Sequence, residues 1–356
     1  MNQLVIVRAF GEQGGAAFRK FARAGLVLLT VAMVSFGAAN GAKAETYNVR
    51  IATQPGIPYL PLILMQQFSL VEKHASELGL DKLTVTWNRY GSGAAMNDAL
   101  LSGSLDFAAL GTPPAILMWD RTRGSANVKG VAGFSALSQK LVTNNPSIKS
   151  LKDFKDSDRI ALPAVKVSVQ AILLQMAAAK LWGDQHFDRL DKLTVSMAHP
   201  DSMVALLSGK SQITAHYSSP PFQNQELASE KVYLVSDAFK DSLSGPASNG
   251  VIIATSAFIS ANPKTAQAFL RALDEASEII AKEPEKAVEG FIAGTGTKLP
   301  KELLLEILAE DGTSFTATPL NTMEFATFMH ARGTIRAKPE NWKDLFFEVI
   351  HDRKGS

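Results

Sequence analysis

The residues best suited to bind a ligand lie in short turns that follow predicted strands. These turns contain glycine, hydroxyl and a few aromatic side chains, but little charge. Backbone N–H groups in the first turn of a helix have no intrahelical partner, so together with nearby hydroxyl groups they suit a small anion without an arginine. The pattern predicts a ligand site that includes Gln54, Tyr59, Gly91, Ser92, Gly111, Thr112, Lys166, Ser168, His199, His216, Tyr217 and Ser218.

Several of these candidates also have a purely structural interpretation. Ser168 precedes an apolar helix, so it suits an N-cap as well as a ligand contact, and the two roles are compatible. Lys166 is better placed than Arg89 to meet an anion, although a lysine in a turn is ordinarily solvated. Tyr59 and Tyr217 fit a pocket wall and a surface position equally well. The sequence leaves these alternatives open.

His199 and His216 lie at corresponding strand ends, where an imidazole can donate a hydrogen bond to a ligand. The 6 histidines include no pair spaced four residues apart and no His-Glu-x-x-His motif. Metal sites on helices depend on such spacings, so the pattern does not indicate one. We therefore expect neither a metal nor a cofactor.

The sequence carries no recognisable catalytic motif. It has no Gly-x-Ser-x-Gly elbow, no phosphate-binding Gly-x4-Gly-Lys-Ser/Thr loop and no Gly-x-Gly-x-x-Gly fingerprint. The count of 0 cysteines excludes disulfide frameworks, thiolate metal sites and cysteine nucleophiles. Asp106 and Asp201 are the acidic residues nearest the predicted turns, and they do not form an acid and base pair. We expect a binding protein rather than an enzyme.

A recurring order of strand, turn and helix must position these turns. Predicted strands at 47–53, 83–89 and 105–110 each lead through a turn rich in glycine or proline into a helical stretch. The same order recurs at 159–181 and 192–208. Strands that alternate with helices predict parallel sheets covered by helices, an α/β fold. In such sheets a ligand binds beyond the carboxyl ends of the strands.

An internal repeat divides the chain into two similar halves. The segment Ala-Leu-Leu-Ser-Gly at 99–103 runs through a short strand to Pro113-Pro114, and the same five residues at 205–209 run to Pro220-Pro221. The shared order of helix, glycine, strand and Pro-Pro favours a structural repeat over chance. We predict a first lobe at 45–140 and a second lobe at 141–245. A return strand and helices at 246–356 are expected to pack on the first lobe and the hinge.

The N-terminus has the pattern of a secretory signal peptide. Arg19, Lys20 and Arg23 precede a charge-free apolar run, Ala24–Phe36, and small residues follow up to Ala44. We predict cleavage after Ala44 and a periplasmic protein, with an uncleaved N-terminal anchor as the alternative.

The net charge of the whole chain is close to zero. Residues 1–44 contain five basic residues and one acidic residue, so the 36 basic and 34 acidic side chains of the chain become 31 and 33, a net charge of −2. This balance does not fit nucleic-acid binding. Any selectivity for anions must therefore arise locally, from turns and helix ends.

Several segments together resemble a known family. They are Gly91-Ser92-Gly93, the run Leu-Leu-Ser-Gly-Ser-Leu-Asp-Phe-Ala at 100–108, the stretch 160–170, the helix start at Asn262-Pro263-Lys264 and the end segment 333–346. In their order and spacing they resemble the periplasmic solute-binding proteins of ABC importers for nitrate, taurine, aliphatic sulfonates and thiamine precursors. The resemblance implies a type II fold of two lobes with a hinge, a cleft that closes on one small molecule, and docking on an inner-membrane permease.

The resulting expectation is a monomeric periplasmic receptor for a small anion of the sulfonate, taurine or nitrate kind. In the resembling family, donors for sulfonates lie at turns like 91–93, 111–112 and the one before Ser168. The sequence departs from the family at 164–168 and 216–221, which leaves the ligand open. A neutral aromatic or pyrimidine ligand is the alternative, and an exported enzyme of the same fold is a further one.

Overall fold

A computed structural model describes residues 45–356, and the signal-peptide prediction lies outside the described residues. The strands are β1 Asn48–Thr53, β2 Thr84–Arg89, β3 Phe107–Gly111, β4 Lys129–Ser135, β5 Lys140–Thr143, β6 Ile160–Leu162, β7 Thr194–Ser196, β8 Ala215–Tyr217, β9 Tyr233–Asp237 and β10 Gly250–Ala254. The helices are α1 Leu60–Gln67, α2 Leu70–Glu77, α3 Gly93–Leu101, α4 Thr112–Arg121, α5 Val169–Trp182, α6 His199–Ser208, α7 Phe222–Leu227, α8 Ser256–Ala261, α9 Pro263–Lys282, α10 Pro284–Thr295, α11 Lys301–Leu308, α12 Thr322–Ala331 and α13 Trp342–Leu345. Short 3-10 turns and one π turn are Ile57–Tyr59, Leu151–Asp153, Asp184–His186, Asp191–Leu193, Glu348–Ile350 and Ala238–Ser242.

These strands form two sheets of the same design within residues 45–356. The first has the order β2-β1-β3-β10-β4 and the second the order β7-β6-β8-β5-β9. In the first, β1 pairs in parallel with β2 and β3, and β10 runs antiparallel between β3 and β4. In the second, β6 pairs in parallel with β7 and β8, and β5 runs antiparallel between β8 and β9. The two-sheet α/β architecture confirms the predicted fold class.

The internal repeat in the sequence corresponds to the middle of each sheet. Its first copy contains α3 and β3, and its second contains α6 and β8. β3 and β8 are the central strands of the two sheets. The identical residues end α3 and α6 and lead towards β3 and β8, so the repeat marks the same connection from helix to central strand in both sheets.

The two sheets exchange one strand each; the sequence predicted the return strand after 245 but not the crossing of β5. β5 follows β4 but belongs to the second sheet, and β10 follows β9 but belongs to the first. Both run antiparallel to their neighbours, so each sheet is mixed and the expectation of parallel sheets holds for only part of it. The segments 136–139 and 238–249 therefore connect the sheets as a two-strand hinge. We propose lobe boundaries close to 140 and 245, because all strands of the second sheet fall between those positions.

Strands β4 and β5 were missed for a physical reason. β4 has the sequence Lys-Gly-Val-Ala-Gly-Phe-Ser and is buried on both faces except at its first residue, so it shows no alternation of apolar and polar residues. β5 has only 4 residues. Periodicity identifies half-buried strands, and neither of these is one.

The C-terminal part of the chain packs on the first sheet and across the hinge. Phe269 of α9 stacks on Phe107 of β3, with ring centroids 4.4 Å apart. Ala136 N donates to Ser314 O at 2.8 Å, and Ser248 N donates to Leu320 O at 2.8 Å. The segment 314–320 thus binds both connecting segments of the hinge. Within the described residues, no helix is long and apolar enough to cross a membrane.

Candidate functional site

A cavity lies between the two lobes, where turns after the strands of both sheets face each other. We call it the interlobe cleft; the empty space inside it, including its mouth, is about 580 Å³. Its lining is Gln54, Pro55, Pro58, Tyr59, Gly93, Ala94, Gly111, Pro114, Phe134, Ser135, Gln139, Pro163, Ala164, Val167, Ser168, Val169, Gln170, His199, Ser219, Asn249 and Gly250. Among these described residues there is no Asp, Glu, Lys or Arg.

Two helix N-termini, one from each lobe, reach this cleft. Gly93 and Ala94 are the first two residues of α3, and Val169 and Gln170 are the first two of α5. Their N–H groups precede the first possible intrahelical hydrogen bond, so each is available to a ligand. Ser168 caps α5 by accepting a hydrogen bond from Ala171 N at 3.2 Å and also lines the cleft. The cleft therefore has backbone donors and two positive helix ends.

The N-terminus of α4 contributes differently. Pro113 and Pro114 have no N–H group, so the first turn of this helix offers few donors. The N–H of Thr112 donates to Asn249 O at 2.9 Å, and the Thr112 hydroxyl donates to Ser248 O. Thr112 thus fastens α4 to the hinge instead of facing the ligand.

Three buried side chains at the hinge end of the cleft have polar atoms without a partner. Ser135 Oγ, Gln139 Oε1 and Asn249 Nδ2 are buried and form no hydrogen bond among the described residues. All three residues line the cleft. Leaving such a group unpaired costs about 1–3 kcal/mol, so a bound ligand or water is needed to satisfy it. Ser135 and Asn249 supply hydrogen-bond donors at this end.

An aromatic wall closes the same end of the cleft. Tyr59 lies against Phe134 with ring centroids 5.3 Å apart. Gln54 Nε2 donates to the Tyr59 hydroxyl oxygen at 2.6 Å, so the phenol keeps its own hydrogen for another acceptor. Burial raises the pKa of Tyr59 far above its usual value, which keeps this group a neutral donor.

Behind the cleft wall, three titratable side chains form a hydrogen-bonded row. His199 Nδ1 lies 2.8 Å from His216 Nε2, and His216 Nδ1 lies 2.6 Å from Glu226 Oε1. His199 lines the cleft, whereas the side chains of His216 and Glu226 are wholly buried. Burial lowers the pKa of His216 to about 3 and raises the pKa of Glu226 to about 8. Burial and the neighbouring His216 hold the pKa of His199 well below its usual range.

The structure brings together five of the predicted ligand residues. The residues that line the cleft are Gln54, Tyr59, Gly111, Ser168 and His199.

The other seven predicted residues lie outside the lining. Ser92 caps α3, Gly91 is exposed near Ala198 of the other lobe, and Lys166 is exposed with φ 66°. Thr112, His216, Tyr217 and Ser218 are buried behind the cleft wall. The Tyr217 hydroxyl lies 3.4 Å from Ser242 Oγ.

Five further residues line the cleft that the sequence did not indicate as ligand residues: Phe134, Ser135, Gln139, Gln170 and Asn249. Four of them lie at the hinge, which depends on β4 and on the antiparallel course of β10. Asn249 immediately precedes β10. Because β10 runs antiparallel to β3, Asn249 lies at the edge of the sheet where β3 ends. A prediction of antiparallel β10 would have placed Asn249 at the cleft.

Comparison with known proteins agrees with this architecture. The sequence profile of the NMT1-like family matches residues 42–290. The alkanesulfonate-binding protein SsuA of Xanthomonas axonopodis pv. citri, bound to MOPS, has 19% identity and a TM-score of 0.64, covering 83% of this chain and 96% of its own. The periplasmic aliphatic sulphonate binding protein SsuA of Escherichia coli has 19% identity and a TM-score of 0.61, covering 85% and 100%.

A third structure is more distant. The periplasmic nitrate-binding protein NrtA of Synechocystis PCC 6803 has 17% identity and a TM-score of 0.56, covering 74% of this chain and 70% of its own. No curated protein sequence matches the chain. The match to the family profile over most of the described residues, together with the shared fold, leads to one conclusion: the chain belongs to the NMT1-like family and has the fold of the periplasmic solute-binding proteins of ABC importers.

Proposed function

We propose that the protein is a periplasmic receptor that captures a small anion in the interlobe cleft and delivers it to the permease of an ABC importer. Sulfonates such as taurine come first, and nitrate second. The observation that carries the proposal is the facing pair of helix N-termini, α3 and α5, in a cleft whose described lining has no carboxylate. An anion is favoured at such a position because N–H groups and helix dipoles point at it.

The unpartnered donors at the hinge support the same ligand class. Ser135 Oγ and Asn249 Nδ2 are buried in the lining, and the Tyr59 hydroxyl keeps a hydrogen to donate. A tetrahedral sulfonate head group has three oxygens that can accept from such separate directions. Because these donors are neutral, they bind the anion without a counter-charge and allow its release.

Transport and location are proposed from the family and the fold. The structures of similar fold include periplasmic binding proteins for sulfonates and nitrate. A receptor of this kind works as a monomer that presents both lobes to its permease. We propose no turnover, since the described lining offers only His199 and Tyr59 as titratable groups, and Tyr59 does not ionise near neutral pH.

Ligand titration tests the proposal. Purified protein starting at Glu45 is titrated with taurine, alkanesulfonates, nitrate and pyrimidines, with tryptophan fluorescence and melting temperature as readouts. We expect an anion to raise stability by about 2.7 kcal/mol at a hundredfold excess over Kd. Recovery of the unchanged ligand after hours distinguishes a receptor from an enzyme. A response to neutral rings alone would overturn the anion proposal.

The variant Asn249→Asp sharpens this test. Its remaining oxygen still accepts from Leu137 N, a bond of 2.6 Å in the structure, while the unpartnered Nδ2 becomes a negatively charged oxygen. We expect anion affinity to fall at least tenfold, about 1.4 kcal/mol, because a charge of the same sign now faces the ligand. Asn48→Asp adds the same charge at the amino end of β1 and should leave binding unchanged.

A neutral aromatic ligand is the second candidate. Tyr59 and Phe134 form an aromatic wall, and the described lining contains no fixed cation. Such a ligand would stack on the wall and satisfy the amides of Gln139 and Asn249. Asn249→Asp distinguishes the two candidates, because a neutral ring with a hydrogen-bond donor tolerates the new carboxylate and an anion does not.

A further inference from the structure

We propose that Glu226, His216 and His199 act as a proton relay in which one proton, held at the buried end, decides whether His199 Nε2 presents a hydrogen or a lone pair to the interlobe cleft. An anion then binds preferentially when the relay is loaded with this proton. Glu226 and His216 are positioning residues, since neither touches the cleft. The inference rests on the proposed function, because it concerns how the same site selects the charge of its ligand.

The geometry of the relay is continuous from the cleft to the buried carboxyl. His199 Nε2 lies 3.1 Å from the side-chain amide of Gln170, another residue of the cleft lining. The ring of His199 stacks on Phe222 at 5.9 Å between centroids, which holds its orientation. His199 Nδ1 reaches His216 Nε2 at 2.8 Å, and His216 Nδ1 reaches Glu226 Oε1 at 2.6 Å. Each contact needs one hydrogen between its two atoms.

Only two arrangements of hydrogens satisfy both inner contacts with neutral rings. In the loaded state, the Glu226 carboxyl donates to His216 Nδ1, His216 Nε2 donates to His199 Nδ1, and His199 Nε2 carries a hydrogen. In the unloaded state, His216 Nδ1 donates to the Glu226 carboxylate, and His199 Nδ1 donates to His216 Nε2. His199 Nε2 then has a lone pair.

The two states differ by one proton. On unloading, the hydrogen of Glu226 moves to His216 Nδ1, that of His216 Nε2 moves to His199 Nδ1, and that of His199 Nε2 leaves to water. The net charge of the relay changes from 0 to −1. The negative charge lies on the Glu226 carboxylate, whereas at the cleft His199 Nε2 changes from a hydrogen-bond donor to an acceptor. In the structure, Gln170 Nε2 faces His199 Nε2 and donates to its lone pair, which is the unloaded arrangement; in the loaded state the amide rotates so that its oxygen accepts the hydrogen of His199 Nε2.

The surroundings of Glu226 favour the loaded state at neutral pH. Its side chain is wholly buried, and its Oε2 has no hydrogen-bond partner among the described residues, which makes a carboxylate costly there. Burial raises the pKa of Glu226 to about 8 and lowers the pKa of each histidine. The relay is therefore uncharged and offers the cleft a donor hydrogen.

The elements around the relay carry other charged groups. β5 contributes Lys140, whose amine pairs with Glu310, and α5 contributes Lys180, which donates to Leu243 O. α6 adds the exposed Asp201, while β6 has no charged residue. From the first lobe, Arg89 lines a separate cavity with Phe222 and Gln225 of α7. The titration is thus assigned to the relay itself.

The test compares wild type with Glu226→Gln between pH 6 and 9.5. A glutamine amide at 226 has no proton to lose between pH 6 and 9.5, and its nitrogen can donate to His216 Nδ1 as the protonated carboxyl does, so the loaded arrangement no longer depends on pH. For wild type we expect anion affinity to be constant up to about pH 8 and then to fall by up to about tenfold per pH unit. Glu226→Gln should bind like wild type at pH 6 and keep that affinity at pH 9.5. Parallel pH profiles for the two proteins would overturn the relay.

A second readout requires no ligand. The ¹⁵N chemical shift of His199 Nε2 distinguishes a nitrogen that carries hydrogen from one with a lone pair. We expect this chemical shift to change near pH 8 in wild type and to stay constant in Glu226→Gln. The control variant His186→Gln, at an exposed position, should show the same change near pH 8 as wild type. If this signal changes as expected but no anion binds, the relay stands and the proposed function fails. A constant signal in wild type overturns the relay whatever the ligand.

Discussion

Glu226, His216 and His199 differ from solvated residues of their types because burial favours the uncharged form of each at neutral pH. Glu226 has a pKa raised from 4.5 to about 8 by burial, so in that interval the folded chain binds a proton that the unfolded chain releases. Stability therefore falls as the pH rises from about 5 to 8. His216 and His199 have lowered pKa values, so below about pH 6.5 the unfolded chain takes up protons and stability falls as the pH falls.

These opposing shifts predict a stability maximum near pH 6.5. Below that pH the two histidines outweigh the carboxyl, and above it the carboxyl outweighs the histidines, which lose their protons in the unfolded chain. We expect the free energy of unfolding of wild type to decrease from pH 6.5 to 8, and that of Glu226→Gln to show no decrease in this interval. Urea unfolding at each pH measures this free energy. The control variant His186→Gln should show the same pH dependence as wild type. A decrease of the same size in Glu226→Gln would show that the carboxyl is already ionised in the fold.

At the scale of secondary structure, the start of α5 is the element that can be changed with least damage to the fold. Proline is well tolerated at the first position of a helix, where its missing N–H has no intrahelical role. Ser168 has φ −70° and ψ 163°, a conformation suited to the residue before a proline. Val169→Pro thus removes one N–H group from the cleft while keeping the helix.

We expect Val169→Pro to bind an anion at least about tenfold more weakly, since a hydrogen bond to a charged group contributes about 1.5–3 kcal/mol. Its melting temperature should stay within a few degrees of that of wild type. Lys301→Pro, at the first position of α11 and away from the cleft, is the control and should bind normally. Isothermal titration measures the affinities. Unchanged binding by Val169→Pro would mean that the ligand does not use this helix end.

Elements with strong local signals could be predicted from the sequence, and those defined by distant partners could not. α5 was expected from an apolar run after Ser168, and it begins at Val169 as expected. The hinge donors Ser135 and Asn249 escaped prediction because their place depends on β10 pairing with β3 and β4, strands far away in sequence. His216 was recognised as a candidate, but its burial and its pairing with Glu226 depend on how α7 packs on the sheet.

At the scale of the whole molecule, the exchange of β5 and β10 explains why the ligand site lies where it does. The hinge segments lead into β5 and β10, the two strands that change sheets. One cavity is therefore lined by Ser135 and Asn249 at the hinge and by helix ends of both lobes. The lobes also approach each other closely at Gly111. A Cβ atom on Gly111 would lie 2.4 Å from Val169 Cγ2 of the other lobe.

That contact predicts how a single methyl group affects ligand binding. Gly111 has φ −64° and ψ 149°, a conformation that any residue adopts. Glycine is therefore needed at this position because the lobes lie so close together, and not because of the backbone conformation. In Gly111→Ala the lobes must stay further apart, at a cost of about 1–3 kcal/mol, and affinity should fall about 5- to 150-fold. The unliganded protein should melt near wild type, because open lobes avoid the clash.

The paired variant Gly111→Ala with Val169→Ala removes the obstructing methyl and should restore most of the affinity. Gly245→Ala has open space around the new methyl and should bind as wild type does. Titration of the three variants with the anion that binds wild type measures the effect, and small-angle scattering reports whether ligand still compacts each one. Full affinity and full compaction in Gly111→Ala would show that the ligand is bound without the two lobes meeting at this point, and the cleft would then have to work in a more open form.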